Sequence, residues 1–178
     1  HTQSFVHFNP RECILPPGGE IILDFGLELH GLLTVTTGCM KLSRARITFG
    51  ESVSETLGTP TQDHAIHQEL LSLPQLGQVN FGQTAFRFVR LEIPADAPEV
   101  RLIGVVATAI YRDWEYRGTF LSDDERLNRI WEVGAYTVHL NCQDYIYDGV
   151  KRDRLVWMGD LYPEIRTILA AFDETALV

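Results

Sequence analysis

The stretch SDDERLNRIWEVGAYTVHLN, residues 122–141, decides the fold, because the sequence pattern changes there from β to α. Ser122 and Glu125 fit a capping box, in which the serine accepts a backbone N–H and the glutamate reaches back to the cap. Apolar or small residues then recur at helical spacing, at Leu127, Ile130, Trp131, Gly134 and Val138. The spacing predicts a helix over residues 123–141.

A second helix is predicted to begin near residues 160–163, where proline is tolerated in a first turn. Its buried stripe is expected at Ile165, Ile168, Leu169 and Phe172. Two apolar stripes need partners, and the sequence offers no third helix. Either the two helices pack on the β-sandwich or the natural polypeptide continues past Val178, and we expect the continuation.

Residues before position 113 show the period of two that is typical of strands with one buried face. The alternation is clear over residues 21–26, 33–36 and 44–49. Two further β-rich runs cover residues 86–93 and 102–110, and the second is apolar enough to predict burial on both faces. The segment 63–71 fits either a short helix or a loop that leads into a strand.

Short strands with proline and glycine breakers and no intervening helix predict an antiparallel β-sandwich. The expected fold class is therefore mainly β with C-terminal α. We place a β-sandwich domain at residues 1–113 and the beginning of a helical domain at residues 114–178.

Composition excludes several classes of partner. The 178 residues carry a formal net charge of −9 and no long basic run, which argues against nucleic acid and anionic membranes. No run approaches the roughly 18 apolar residues that membrane insertion needs. The oligomeric state does not follow from the sequence. The chain begins with His1, so we expect a processed or excised piece.

Other candidate sites are weak. Cys13, Cys39 and Cys142 are few and scattered, which predicts buried small side chains and neither disulfides nor a zinc site. His64 and His67 lack a third metal ligand, so we expect no metal and no cofactor. A Cys142–His139 pair on one helix face is a poor catalytic arrangement.

The densest group of chemically active side chains is DGVKRDRLVWMGD, residues 148–160. Acids, cations and aromatics in one loop suit a polyol-binding, acid-catalysing cleft, since glycoside hydrolysis needs two carboxyl groups. Tyr145, Tyr147 and Trp157 could stack on a sugar ring or pack in a core. Asp153 could equally pair with a neighbouring cation, and Asp148 and Asp160 could be helix caps; the residue types alone leave these alternatives open.

The loop resembles the α-L-rhamnosidases of glycoside hydrolase family 78. Their motif has an Asp, a proline two residues later, an Arg, an acidic residue and Trp-x-Gly-Asp. Asp148, Arg152, Asp153, Trp157, Gly159 and Asp160 match it in order and spacing, with Val150 in place of the proline. Residues 122–131 resemble the first helix of the family's (α/α)6 barrel, and phrases such as LDFG, residues 23–26, resemble its β-sandwich.

The resemblance implies an inverting hydrolase that removes terminal α-L-rhamnose. It implies that Asp153 is the general acid, that Asp148, Arg152 and Asp160 bind sugar hydroxyls, and that Trp157 lines the pocket. The partner is then a carbohydrate, and a periplasmic or secreted location fits the resemblance. Asp153 is one methylene shorter than the family's usual Glu, and the catalytic base is expected beyond this chain. We therefore expect the 178 residues alone to be inactive.

Two other functions remain open at this stage. The β-sandwich could be a non-catalytic carbohydrate-binding module whose C-terminal helices are a linker, in which case Asp153 is unimportant. The chain could also be a degenerate relative that retains the fold and has lost the chemistry, as the Asp-for-Glu exchange allows.

Overall fold

The computed structural model describes residues 2–8 and 13–178. The elements, in chain order, are β1 (Thr2–Phe8), β2 (Cys13–Leu15), β3 (Glu20–Thr37), β4 (Ser43–Gly50), α1 (Val53–Thr56), β5 (His67–Leu73), β6 (Gln78–Glu92), β7 (Val100–Tyr111), α2 (Glu125–Asn141) and α3 (Met158–Ala171). The chain divides into two compact units. Gln3–Ala109 is called the β domain below, and Ile110–Val178 is called the helical unit.

The β domain is antiparallel, as the sequence predicts. Within the described ranges its strands form one seven-stranded sheet in the order β1-β7-β3-β6-β4-β5, with β2 also paired to β7. All these strands belong to one sheet because β3 and β6 are long, with 18 and 15 residues, and each pairs with different strands along its length. The first part of β3 pairs with β6, whereas residues 31–36 pair with both β6 and β7.

Two irregularities interrupt the pairing of β3 with β6. The register shifts between Asp24 and Leu29, where Gly26 has a φ of 84°, and again between Gly31 and Leu32. The glycine at 26 adopts a left-handed conformation that other residues enter only at a cost. The sequence pattern predicted separate strands here, because the bulges interrupt the alternation of side chains without ending the strand.

The core of the β domain lies on one face of the predicted strands. Ala45, Ile47 and Phe49 of β4 are each at most 1% exposed, as their alternation predicts. The prediction that residues 102–110 are buried on both faces is wrong, because Ile103 is 48% exposed. The ambiguous segment 63–71 is a loop that leads into β5.

The first long helix begins two residues later than predicted. Its N-cap is Asp124, whose carboxylate accepts the Arg126 N–H at 2.9 Å. The predicted Ser122–Glu125 capping box is wrong. Asn128 holds Ser122 from both sides instead: its amide accepts the Ser122 N–H and donates to the Ser122 carbonyl.

The predicted apolar stripe of α2 is mostly exposed. Leu127 and Ile130 are 46% and 67% exposed, whereas Ala135 and His139 are buried. The buried residues pack with Trp114 and Phe172 inside the helical unit. No helix in the described ranges is long and apolar enough to cross a membrane.

The second long helix begins at Met158, before the predicted start, so Pro163 lies inside the helix and not in its first turn. Ile168 and Phe172 are buried as predicted, but Leu169 is 43% exposed. Glu164, which was not predicted, is buried on the same face.

Candidate functional site

The loop between α2 and α3 is held at its neck by Asp148. The Asp148 N–H donates to the Leu155 carbonyl at 2.9 Å, and the Leu155 N–H donates to the Asp148 carboxylate at 2.8 Å. The carboxylate therefore stabilises the loop and is not a helix cap, which settles one alternative left open by the sequence. Its second oxygen is available to a ligand hydroxyl or to a neighbouring acid.

The tip of the loop presents Asp153 to solvent. Asp153 and Arg154 have φ values of 64° and 50°, and the Arg154 N–H donates to the Arg152 carbonyl at 2.8 Å. Two successive left-handed residues are rare outside glycine and reverse the chain sharply. The Asp153 side chain is 55% exposed and lies 3.5 Å from the Arg152 guanidinium. Such an exposed pair contributes little stability, about 0–1 kcal/mol.

Arg154 supports the loop from inside. Its guanidinium lies 4.9 Å from the Tyr147 ring centroid and donates to the Gln143 amide oxygen at 3.2 Å. Lys151 and Val150 are buried at 6% and 8% exposure. The sequence allowed Arg154 as an ion-pair partner of Asp153, but the cation beside Asp153 is Arg152 and Arg154 bonds Gln143, which was not predicted. Tyr147 therefore has a structural contact, whereas Tyr145 is 60% exposed.

Trp157 is exposed beside this tip. It occupies the N-cap position of α3 without a side-chain cap, and it is 60% exposed. A Cβ on Gly159 would lie 2.6 Å from the Trp157 indole nitrogen, so the indole lies directly against the glycine. Glycine thus permits this position of the aromatic ring.

Asp160 lies in the first turn of α3, one helical turn before Glu164. Burial, together with smaller contributions from the negative charges of Asp160 and Asp148, raises the pKa of Glu164 to about 7. The three acids therefore form one electrostatic group at the base of the loop. The sequence missed Glu164, although its spacing of four from Asp160 on a predicted helix was a usable signal.

The weaker candidates have structural roles. His139 is buried and its Nε2–H donates to the Arg112 carbonyl at 2.7 Å. Burial raises the pKa of the Cys142 thiol to about 12, so the thiol is not a reactive thiolate at neutral pH. His67 hydrogen-bonds Thr84, and His64 is exposed in the preceding loop.

The helical unit matches a known glycosidase class. Residues 115–178, which include the whole loop, match the family model of the bacterial α-L-rhamnosidase six-hairpin glycosidase domain. The resemblance to the α-L-rhamnosidases of glycoside hydrolase family 78 is confirmed. No curated protein matches the chain.

Solved structures of rhamnosidases share the fold of nearly the whole chain. A rhamnosidase from Klebsiella oxytoca with rhamnose bound matches 93% of this chain and 35% of its own, at 23% identity and a TM-score of 0.76. A family 78 rhamnosidase of Bacillus sp. GL1 matches 93% of this chain and 18% of its own, at 21% identity and a TM-score of 0.76. The enzyme from Dictyoglumus thermophilum matches 96% and 20%, at 21% identity and a TM-score of 0.71. The chain thus spans about a third or less of the length of these rhamnosidases.

Proposed function

We propose that this chain is part of an inverting glycoside hydrolase that removes terminal α-L-rhamnose from glycans or glycosides. The observation that supports this most is the family match over residues 115–178, which contains every residue of the loop motif. On this proposal α2 and α3 are the first helices of an (α/α)6 barrel.

Asp153 is the proposed general acid. Its exposed position at the loop tip lets the carboxyl group approach a glycosidic oxygen without rearrangement of the loop neck. The acid donates its proton to that oxygen as the bond to the sugar carbon breaks. A carboxylate elsewhere in the natural protein takes a proton from the water that attacks the opposite face, about 6.5–9.5 Å from the acid.

The remaining motif residues orient the sugar. Asp148 and Asp160 accept hydrogen bonds from its hydroxyls, and Arg152 donates to them through its planar guanidinium. The exposed indole of Trp157 covers an apolar edge of the ring, such as the methyl group of rhamnose. Because the proposed base lies outside these residues, the 178-residue chain alone should not turn over substrate.

The test is hydrolysis of methyl α-L-rhamnoside, whose leaving oxygen must be protonated, by the natural protein that carries this chain, beside its Asp153→Asn variant. Asparagine tolerates the left-handed backbone at this position, so the fold should persist while the proton donor is lost. We expect kcat to fall by at least about 100-fold, the usual contribution of general acid catalysis. The configuration of the first sugar product, followed by NMR, distinguishes inversion from retention.

Asp173→Asn is the matched control. Asp173 is exposed and also left-handed, with a φ of 52°, but it lies after α3 and outside the motif. Its variant should keep full activity. Equal activity of the Asp153→Asn variant and the wild type would refute the role of Asp153, and a folded wild type without rhamnosidase activity would refute the function.

A further inference from the structure

The β domain has an open groove that the rhamnosidase proposal does not use. It has a volume of about 610 Å³, which is within the usual size of small-ligand sites. Its boundary is formed by β5, by the middle of β6 and by the loop before β5. We call it the Phe81 groove, after the residues Gln68, Glu69, Asn80, Phe81 and Gln83 that line it.

An aromatic ring forms its apolar part. Phe81 is partly exposed and stacks on Phe49, with 5.5 Å between ring centroids and 23° between planes. Phe49 is only 1% exposed, so the Phe81 ring packs against a buried side chain that leaves no room for Phe81 to be buried more deeply. A fixed, partly exposed aromatic ring offers an apolar surface for the C–H face of a sugar.

Polar residues also line the groove, and several have hydrogen-bonding groups without a partner in the described ranges. Asn80 follows the alternation of β6 and lies on the face opposite Phe81, where its amide oxygen accepts from the Thr34 hydroxyl at 2.8 Å. The side chains of Gln83 and Glu69 make no hydrogen bond or ion pair within the same ranges. Gln68 donates one N–H to Thr48 and retains its amide oxygen.

The backbone at Gln83 is strained. Gly31 pairs with Thr84 and Leu32 pairs with Gly82, so Gln83 is the extra residue of a β-bulge. Gly82 and Gln83 have φ values of 93° and 105°, a region that glycine enters freely and glutamine does not. Strain of this kind concentrates at ligand sites, and bulges aim side chains away from the regular pleat.

The charge of the groove favours an uncharged ligand over an anionic one. Its lining residues include no lysine or arginine, and Glu69 is a carboxylate. An anionic ligand would therefore be repelled, whereas amides and a carboxylate pair well with the vicinal hydroxyls of a neutral sugar. We propose that the Phe81 groove binds a neutral oligosaccharide, with one ring on Phe81 and its hydroxyls on Gln83 and Glu69.

Calorimetric titration of the 178-residue chain tests the proposal. The probes are uncharged tetrasaccharides of rhamnose, glucose, xylose or mannose, with trigalacturonic acid as the anionic comparator. We expect saturable binding of at least one neutral probe and weaker binding of the anionic one. Gln83→Gly removes the amide and relieves the strain, so it should weaken binding about 3- to 10-fold without loss of thermal stability.

Glu69→Gln should weaken binding by a similar factor. Gln78→Ala is the matched control, because Gln78 is an exposed amide on the same strand as Gln83, outside the groove. Absence of saturable binding to every neutral probe by the folded chain would overturn the proposal. It would equally fail if affinity survived both groove substitutions unchanged, or if trigalacturonic acid bound best. Hydrolysis is not a readout here, so this test is independent of the rhamnosidase proposal.

Discussion

At the scale of single residues, the backbone of Asp153 decides which substitutions report on chemistry. Its φ of 64° suits asparagine and glycine but not a β-branched side chain. We expect Asp153→Asn to leave the melting temperature within about 2 °C of the wild type. Asp153→Val should lower the free energy of unfolding by about 1–2 kcal/mol, as measured by thermal denaturation. Equal stability of the two variants would contradict a left-handed residue at this position.

Glu164 gives the molecule a pH dependence whose sign follows from its burial. Its pKa is raised from 4.5 to about 7 by the fold, so the folded state retains a proton that the unfolded state loses. The contribution of Glu164 to the free energy of unfolding is therefore largest below pH 4.5, decreases between pH 4.5 and about 7, and stays reduced at higher pH. Glu164→Gln removes the titration.

The measurement is the melting temperature of wild type and Glu164→Gln at several pH values. The melting temperature of the variant should rise relative to that of the wild type as the pH increases from 5 to 8. Glu125→Gln is the control, since Glu125 is exposed at the beginning of α2. A difference between wild type and Glu164→Gln that does not change with pH would rule out the buried acid.

At the scale of elements, the contact between β3 and β7 depends on one glycine. A Cβ on Gly31 would lie 2.0 Å from the Thr108 carbonyl oxygen, which is backbone and cannot move aside alone. We expect Gly31→Ala to destabilise the β domain by at least about 2 kcal/mol. Gly104→Ala on β7 is its control, because nothing lies within 4 Å of the added carbon. Chemical denaturation followed by circular dichroism compares the two; similar midpoints would be inconsistent with this strand pairing.

Much of the element pattern follows from the sequence because it depends on local burial. Alternation at Ala45, Ile47 and Phe49 reports a strand with one face in the core, and the structure agrees. The local sequence pattern does not determine the residue at which α2 begins. Ser122 and Asp124 both have the chemistry of a cap, and Asn128, four residues beyond Asp124, decides between them by binding both backbone groups of Ser122.

The candidate site was predictable as a set of residue types but not as an arrangement. The motif 148–160 stands out by composition, and it lies within the residues that match the family model. The supporting roles of Arg154 and Gln143, the bond of Asp148 to Leu155 and the burial of Glu164 depend on how the loop and α3 come together. These contacts are nonlocal, so no short pattern encodes them.

At the scale of the whole molecule, α2 carries an exposed apolar face. Leu127, Ile130 and Val133 are spaced by three and are 46%, 67% and 46% exposed. Contiguous apolar surface of this kind binds hydrophobic dyes. We expect the 178-residue chain to bind such a dye and the Leu127→Gln, Ile130→Gln double variant to bind it at least twofold less, as measured by fluorescence.

Leu27→Gln is the comparison for that experiment, since Leu27 is 59% exposed and lies in the β domain. It should leave dye fluorescence nearly unchanged. If the α2 double variant and Leu27→Gln had the same small effect, the exposed face of α2 would not be the dye-binding surface.

The indole of Trp157 against Gly159 has a consequence for the divergence of such loops. Any side chain at 159 would place its Cβ 2.6 Å from the indole nitrogen, so a substitution there displaces the Trp157 ring although residue 157 itself is unchanged. Positions 157 and 159 are therefore structurally coupled. A single substitution at either position is therefore enough to change how the aromatic ring lies on the surface.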